Sequence, residues 1–196
     1  DHNRQKNRMI AGGKGWMLAL GLADAKGDIL PTAQDKYRQI NKYIEVLDAL
    51  LRQLPKGTGT ERTVRIADMG AGKGYLTFAL YDHLVSTMKW QGQVTGVEFR
   101  ADLVKLCNET AKASGFAGLK FVEGTIDSYD CDGADVVIAL HACDTATDDA
   151  IAKAVKANAA LIVVAPCCHK QIRREIEKSG RASKDNPLQF LMQYGT

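Results

Sequence analysis

Residues 66–75 read Ile66-Ala-Asp68-Met-Gly70-Ala-Gly72-Lys-Gly74-Tyr75. An apolar approach (Val64, Ile66) ends in an acid, three glycines follow on alternate positions, and a helix-period stretch begins directly afterwards (Leu76, Phe78, Ala79, Leu80, Leu84, Val85). A glycine-rich turn between a strand and a helix lets the backbone pass close to a ligand, because no Cβ stands in the way. The spacing is not that of a dinucleotide-binding turn. In G-x-G-x-x-G the third glycine would fall at position 75, but here it comes one residue early, at Gly74.

Outward from this turn the pattern alternates strand and helix. Val64–Ala67 is expected as the first strand, with a helix over 74–88. A second strand (93–98), a helix (100–114) stopped by Gly115, and a third strand (119–122) follow. A short polar connection leads to a fourth strand (135–140), a helix (145–157), a fifth strand (160–165) and a last helix from His169 to Gly180. The fourth and fifth strands are unbroken apolar runs, as required of a parallel sheet covered on both faces. The reading is a doubly wound α/β domain with its ligand at the carboxyl ends of the strands.

Upstream, Tyr37, Ile40, Tyr43, Ile44, Leu47, Leu50, Leu51 and Leu54 step by three and four, giving a helix ended by Pro55-Lys56-Gly57. Thr32 is expected to cap it, with Asp35 in a capping-box position. Residues 1–56 then form an N-terminal helical extension or lid, and 57–196 the ligand-binding core.

Composition sets outer limits. Hydrophobic residues make up 45% and charged residues 25%, as in ordinary globular domains, and no apolar run approaches the roughly 20 residues of a membrane span. A net charge of +3 is too small to argue nucleic acid by itself, although basic residues cluster at both ends (Arg4, Lys6, Arg8, Lys14; Lys170, Arg173, Arg174, Lys178, Arg181, Lys184). The start, Asp1-His2-Asn3-Arg4, has neither Met nor a signal-peptide pattern, so the chain is expected to be a piece of a longer protein. Five cysteines without a secretory context imply reduced thiols in the cytoplasm.

Candidate site residues follow from the strand ends. Glu98 closes the second strand, where a carboxylate's two oxygens suit a ribose diol. After the third strand come Thr125 and Ile126. In the methyltransferase fold, which this pattern resembles, that position flanks the adenine, and Thr125 stands there in place of an acid. The fourth and fifth strands end in His141-Ala-Cys143-Asp144 and Cys167-Cys168-His169. Three chemistries fit these clusters. Zinc coordination suits the ligand types, but the spacing is not C-x-x-C, and no metal is assigned. Cys143 and Cys167 could form the thiol pair of an RNA cytosine-5 methyltransferase. The preferred reading makes His141, Asp144 and His169 acid–base or orienting groups. Cys107 and Cys131 are read as small buried hydrophobes.

Asp-x-Gly-x-Gly-x-Gly resembles the first motif of class I S-adenosylmethionine (SAM) methyltransferases, whose donor carries an amino-acid tail and ribose where a dinucleotide carries pyrophosphate. Gly70–Thr77, Ala139–Thr147 and Ala165–Lys170 together are similar to the methyltransferase domain of the tRNA acceptor-stem 2′-O-methyltransferases, and residues 35–41 ahead of them to bacterial members. The resemblance implies SAM held by Asp68, Gly70, Gly72 and Glu98, with His141 and Asp144 lining the site; Gly74, Thr125, Ile126 and Leu140 are further candidates for contact with the donor. It also implies that the helix bearing Lys36, Arg38 and Gln39 lids the donor's carboxylate, and that RNA is the acceptor. That family's sheet has seven strands. Five are legible here, so the end of the chain is expected to be truncated or to lack residues.

Overall fold

The computed structural model describes residues 8–54, 63–140 and 145–165. Five parallel strands form one sheet in the order β3-β2-β1-β4-β5: β1 (Thr63–Met69), β2 (Gln91–Glu98), β3 (Leu119–Glu123), β4 (Val136–Ala139) and β5 (Leu161–Val164). The first three strands wind one way from β1 and the last two the other way. The order therefore reverses between β1 and β4, which is where open α/β sheets bind ligands. This is the α/β, doubly wound, mostly parallel architecture expected from the sequence.

Strand alternation divides the core in two. Val64 and Ile66 of β1, Val94 of β2, Leu119 and Phe121 of β3 and Ile138 of β4 face a large cluster. It is covered by α1 (Gly15–Ala19), α2 (Gln34–Leu51), α3 (Tyr75–Asp82) and α4 (Ala101–Ala113). Ala67, Met69, Val97 and Val137 face the other side, against Ala150 and Ala154 of α5 (Thr145–Lys156) and the buried Cys131. The main cluster is centred on Phe78, whose ring stacks on Trp16 at 5.8 Å and on Phe121 at 5.5 Å between centroids. The expected extension, residues 1–56, thus supplies Trp16, Met17, Tyr37, Ile40, Ile44 and Leu47 to the same core as the sheet.

Polar staples join these parts. The buried Asp82 carboxylate accepts from Trp16 Nε1 (3.2 Å), Lys14 Nζ (3.3 Å) and Ser86 Oγ (2.7 Å), tying α1 to the end of α3. There α3 continues as a π-helical turn, His83–Thr87. Asp48 on α2 accepts from both Arg52 Nε and Nη2 and contacts His83 Nε2 at 2.8 Å, and the Arg52 hydrogen bond leads in holding its carboxyl below the usual range. The outer strand β3 is fixed by Asn108, whose amide both donates to and accepts from the Phe121 backbone at 2.8 Å.

One local expectation fails. Thr32 does not cap α2. Pro31–Ala33 form a 3₁₀ turn that runs directly into the α-helix, Ala33 is the N-cap, and no side chain bonds to the first turn. Proline's fixed φ seeds that turn, and Asp35, freed from any capping box, pairs with Arg38 on the exposed face.

Candidate functional site

At the carboxyl end of β1 the chain turns over the end of β2. The Gly70 and Ala71 amides both donate to Val97 O at 2.9 Å. Gly70, Gly72 and Gly74 all adopt left-handed φ (+78°, +60°, +72°), which explains the alternate spacing. Their surroundings differ. A Cβ on Gly70 would meet nothing within 4 Å and one on Gly72 only Arg100 Nη2, so this side of the turn lies open. A Cβ on Gly74 would lie 2.9 Å from Phe121 Cζ and 3.2 Å from Cys107 Sγ. Gly74 is therefore a packing glycine at the start of α3, facing away from the opening.

The opening is a cleft of about 590 Å³, within the usual range for small-molecule sites. It runs along the strand ends from the glycine turn past Glu98 and Gly124–Asp127 to Leu140 and α5. Of the residues singled out from sequence, Asp68, Gly70, Gly72, Glu98, Thr125, Ile126, Leu140 and Lys36 line it. Gln39 does not, but its Oε1 accepts from Lys36 Nζ at 2.8 Å. Thr125 borders the cleft with its hydroxyl engaged locally by the Ser128 amide and hydroxyl. His141, Cys143, Asp144, Cys167 and His169 lie outside the described residues.

Two acids dominate the electrostatics. Asp68 is 5% exposed, and burial pushes its carboxyl up to about 6 against the opposing hydrogen bond from Thr77 Oγ1 (2.6 Å). Glu98 is also buried. Burial raises its pKa too, but hydrogen bonds from the Arg100 side chain and amide and from the Gly72 amide outweigh this and leave it below the ordinary range. Gly72 N donates to Oε2 at 2.8 Å, while Arg100 Nε (2.7 Å) and Arg100 N (3.2 Å) donate to Oε1. The glycine turn and the strand-end acid are thus one hydrogen-bonded unit.

Sequence reading missed Phe99, Arg100, Asp127 and Asp149, all of which line the cleft. Phe99 is 67% exposed, an unusual state for a phenylalanine, with the Arg100 guanidinium 5.3 Å from its ring centroid. Its position directly after Glu98 was the available signal. Among the described residues no group of His, Cys, Asp and Glu could hold a metal, and no helix is long and apolar enough to cross a membrane. Cys107 and Cys131 are buried among core side chains, and burial pushes the Cys107 thiol up to about 11 and raises that of Cys131, in keeping with packing thiols.

A left-handed glycine turn bonded to a buried strand-end carboxylate, at the reversal point of a parallel sheet, defines an α/β domain built to hold a nucleoside-type ligand. Residues 35–175 match the model of a family described as a methyltransferase domain, and the chain belongs to that family. It is a class I SAM-dependent methyltransferase domain. A glutathione S-transferase C-terminal domain-containing protein of Xenopus laevis is 26% identical over 144 residues, which are 74% of this chain and 21% of that protein. The chain thus spans about a fifth of that relative's length. Among solved structures, a candidate SAM-dependent methyltransferase from Methanococcus maripaludis aligns with TM-score 0.47 and 11% identity over 81% of this chain and 80% of its own. Coclaurine N-methyltransferase, bound to N-methylheliamine and S-adenosylhomocysteine, aligns with TM-score 0.38 and 17% identity over 51% of this chain and 27% of its own.

The cleft suits the donor on its own chemistry. Glu98 offers a carboxylate to hydroxyls, Phe99 and Ile126 offer apolar surface to a purine, and the open faces of Gly70 and Gly72 leave room for a tail.

Proposed function

We propose that this domain transfers the methyl group of SAM to RNA, a tRNA-like molecule being the favoured acceptor, at a hydroxyl or base nitrogen. The observation that carries the donor half is Glu98: a buried, ionised carboxylate facing the cleft while bonded to the Gly72 amide. In this reading Glu98 accepts from the ribose hydroxyls. Asp68, Gly70 and Gly72 border the amino-acid tail, and Lys36 on α2, steadied by Gln39, meets its carboxylate. Phe99, Ile126 and Leu140 pack on the adenine. Asp127, one residue beyond Ile126, supplies the carboxylate for the exocyclic amine that Thr125 could not.

The bound donor supplies a methyl group that is already strongly electrophilic, so the chain's tasks are alignment and proton removal. His141 or Asp144 takes the proton of the acceptor hydroxyl or nitrogen, and His169 orients the acceptor. RNA is favoured by the resemblance to the acceptor-stem enzymes and by a cation in the cleft lining, Lys73. It has no ion-pair partner among the described residues, which leaves its charge free for a phosphate. Unpaired thiols at Cys107 and Cys131 suit a reducing compartment, the cytoplasm.

The test is label transfer from methyl-labelled SAM, run on total RNA and total protein in parallel. Label in RNA, lost with His141→Ala while SAM still binds, is the expected result. Label in protein alone, or none despite SAM binding, would overturn the RNA assignment.

A further inference from the structure

Arg100 occupies the surface of Glu98 that a ribose would need. A carboxylate has about four acceptor positions. Three are filled here: Oε2 by the Gly72 amide, and Oε1 by the Arg100 amide and Arg100 Nε. One remains, and a ribose diol brings two O–H donors. One existing donor must therefore leave when both hydroxyls bind. The Gly72 amide is fixed by the left-handed turn, and the Arg100 amide by its place directly ahead of α4, where it is the N-cap. The guanidinium is the one mobile donor: its side chain is 48% exposed and already lies against the Phe99 ring.

We propose that Arg100 is an internal competitor for the donor site, a stand-in for the ribose that sets how tightly the nucleoside is held. This rests on the assignment of Glu98 to the ribose. In the free protein the guanidinium supplies the countercharge for a carboxylate that is only 3% exposed and would otherwise have backbone amides as its hydrogen-bond donors among the described residues. On binding, the hydroxyls replace it on Oε1, and the guanidinium shifts toward solvent across Phe99. After transfer it returns to Glu98 and competes with the spent nucleoside. Arg100 is thus a residue of the site that weakens affinity for any ligand bringing a ribose diol to Glu98.

The experiment is calorimetric titration with S-adenosylhomocysteine and with 5′-methylthioadenosine, which keeps the ribose but lacks the amino-acid tail. Wild type, Arg100→Met, Glu98→Gln and the double variant are compared. Because the Arg100 head is half-exposed, Arg100→Met is expected to tighten both ligands about two- to fivefold. That gain should be absent when Arg100→Met is placed on Glu98→Gln, which carries no charge for the guanidinium to hold. Unchanged or weaker binding by Arg100→Met, or an equal gain in both backgrounds, would overturn the proposal while leaving Glu98 as the ribose ligand. If Glu98→Gln bound both ligands as wild type does, the ribose assignment itself would fall.

Discussion

Asp68→Asn should stabilise the domain at neutral pH, although it alters the acid of the glycine turn. The carboxyl is buried at the base of the cleft with one hydrogen bond among the described residues, from Thr77, and burial raises it from 3.8 to about 6. A carboxyl with a raised folded pKa binds its proton more tightly in the folded state. Its stabilising contribution is therefore complete below the unfolded pKa and is lost as pH rises through about 6. A shift of about two units corresponds to about 3 kcal/mol between pH 4 and pH 8. Asparagine removes this dependence and can still accept from Thr77 Oγ1, less about 1 kcal/mol for the poorer bond. Urea unfolding of both proteins from pH 4.5 to 8 is the assay. The variant should be near parity or slightly weaker at the acid end and about 2 kcal/mol more stable at pH 8. A difference that stays constant within about 0.5 kcal/mol across the range would refute the reasoning, since all other titrating groups are shared.

Three further outcomes follow from the packing and the site. Gly96→Ala places a Cβ 2.5 Å from the buried, stacked Phe121 ring and should cost about 2–3 kcal/mol in urea unfolding, with an unchanged transition midpoint as the contrary result. Asp82→Ala orphans the Trp16 indole N–H and releases Lys14, for a loss of about 2–3 kcal/mol, and tryptophan fluorescence should report a looser Trp16 before global unfolding. Glu98→Gln should weaken S-adenosylhomocysteine at least tenfold in calorimetry, because the charge-assisted bonds to the ribose are lost (about 1.4 kcal/mol or more).

The sheet was legible because the fourth and fifth strands appear as apolar runs, and because helices of clear period separate the strands everywhere except between β3 and β4. The three glycines were legible as a group, but their different jobs were not. Gly70 and Gly72 open onto the cleft, while Gly74 makes room for Phe121, a residue forty-seven positions away whose proximity no local pattern encodes. The same limit hid Asp82, whose partners Trp16 and Lys14 lie more than sixty residues upstream. Glu98 was found by its place at a strand end. Arg100 was passed over because its role depends on lone pairs already used on Glu98, which only the folded geometry displays. The 3₁₀ entry to α2 was misread because Thr32 and Asp35 carry a capping signature that Pro31 pre-empts.

The most direct test of the donor site is amide chemical-shift mapping during titration with S-adenosylhomocysteine. The account predicts large shifts at Gly70, Gly72, Phe99 and Arg100. It predicts little change on the opposite side of the molecule, where Arg65, Thr95 and Lys120 line a separate hollow of about 480 Å³. Shifts confined to that hollow, or saturation without any change at Gly72 and Phe99, would contradict it.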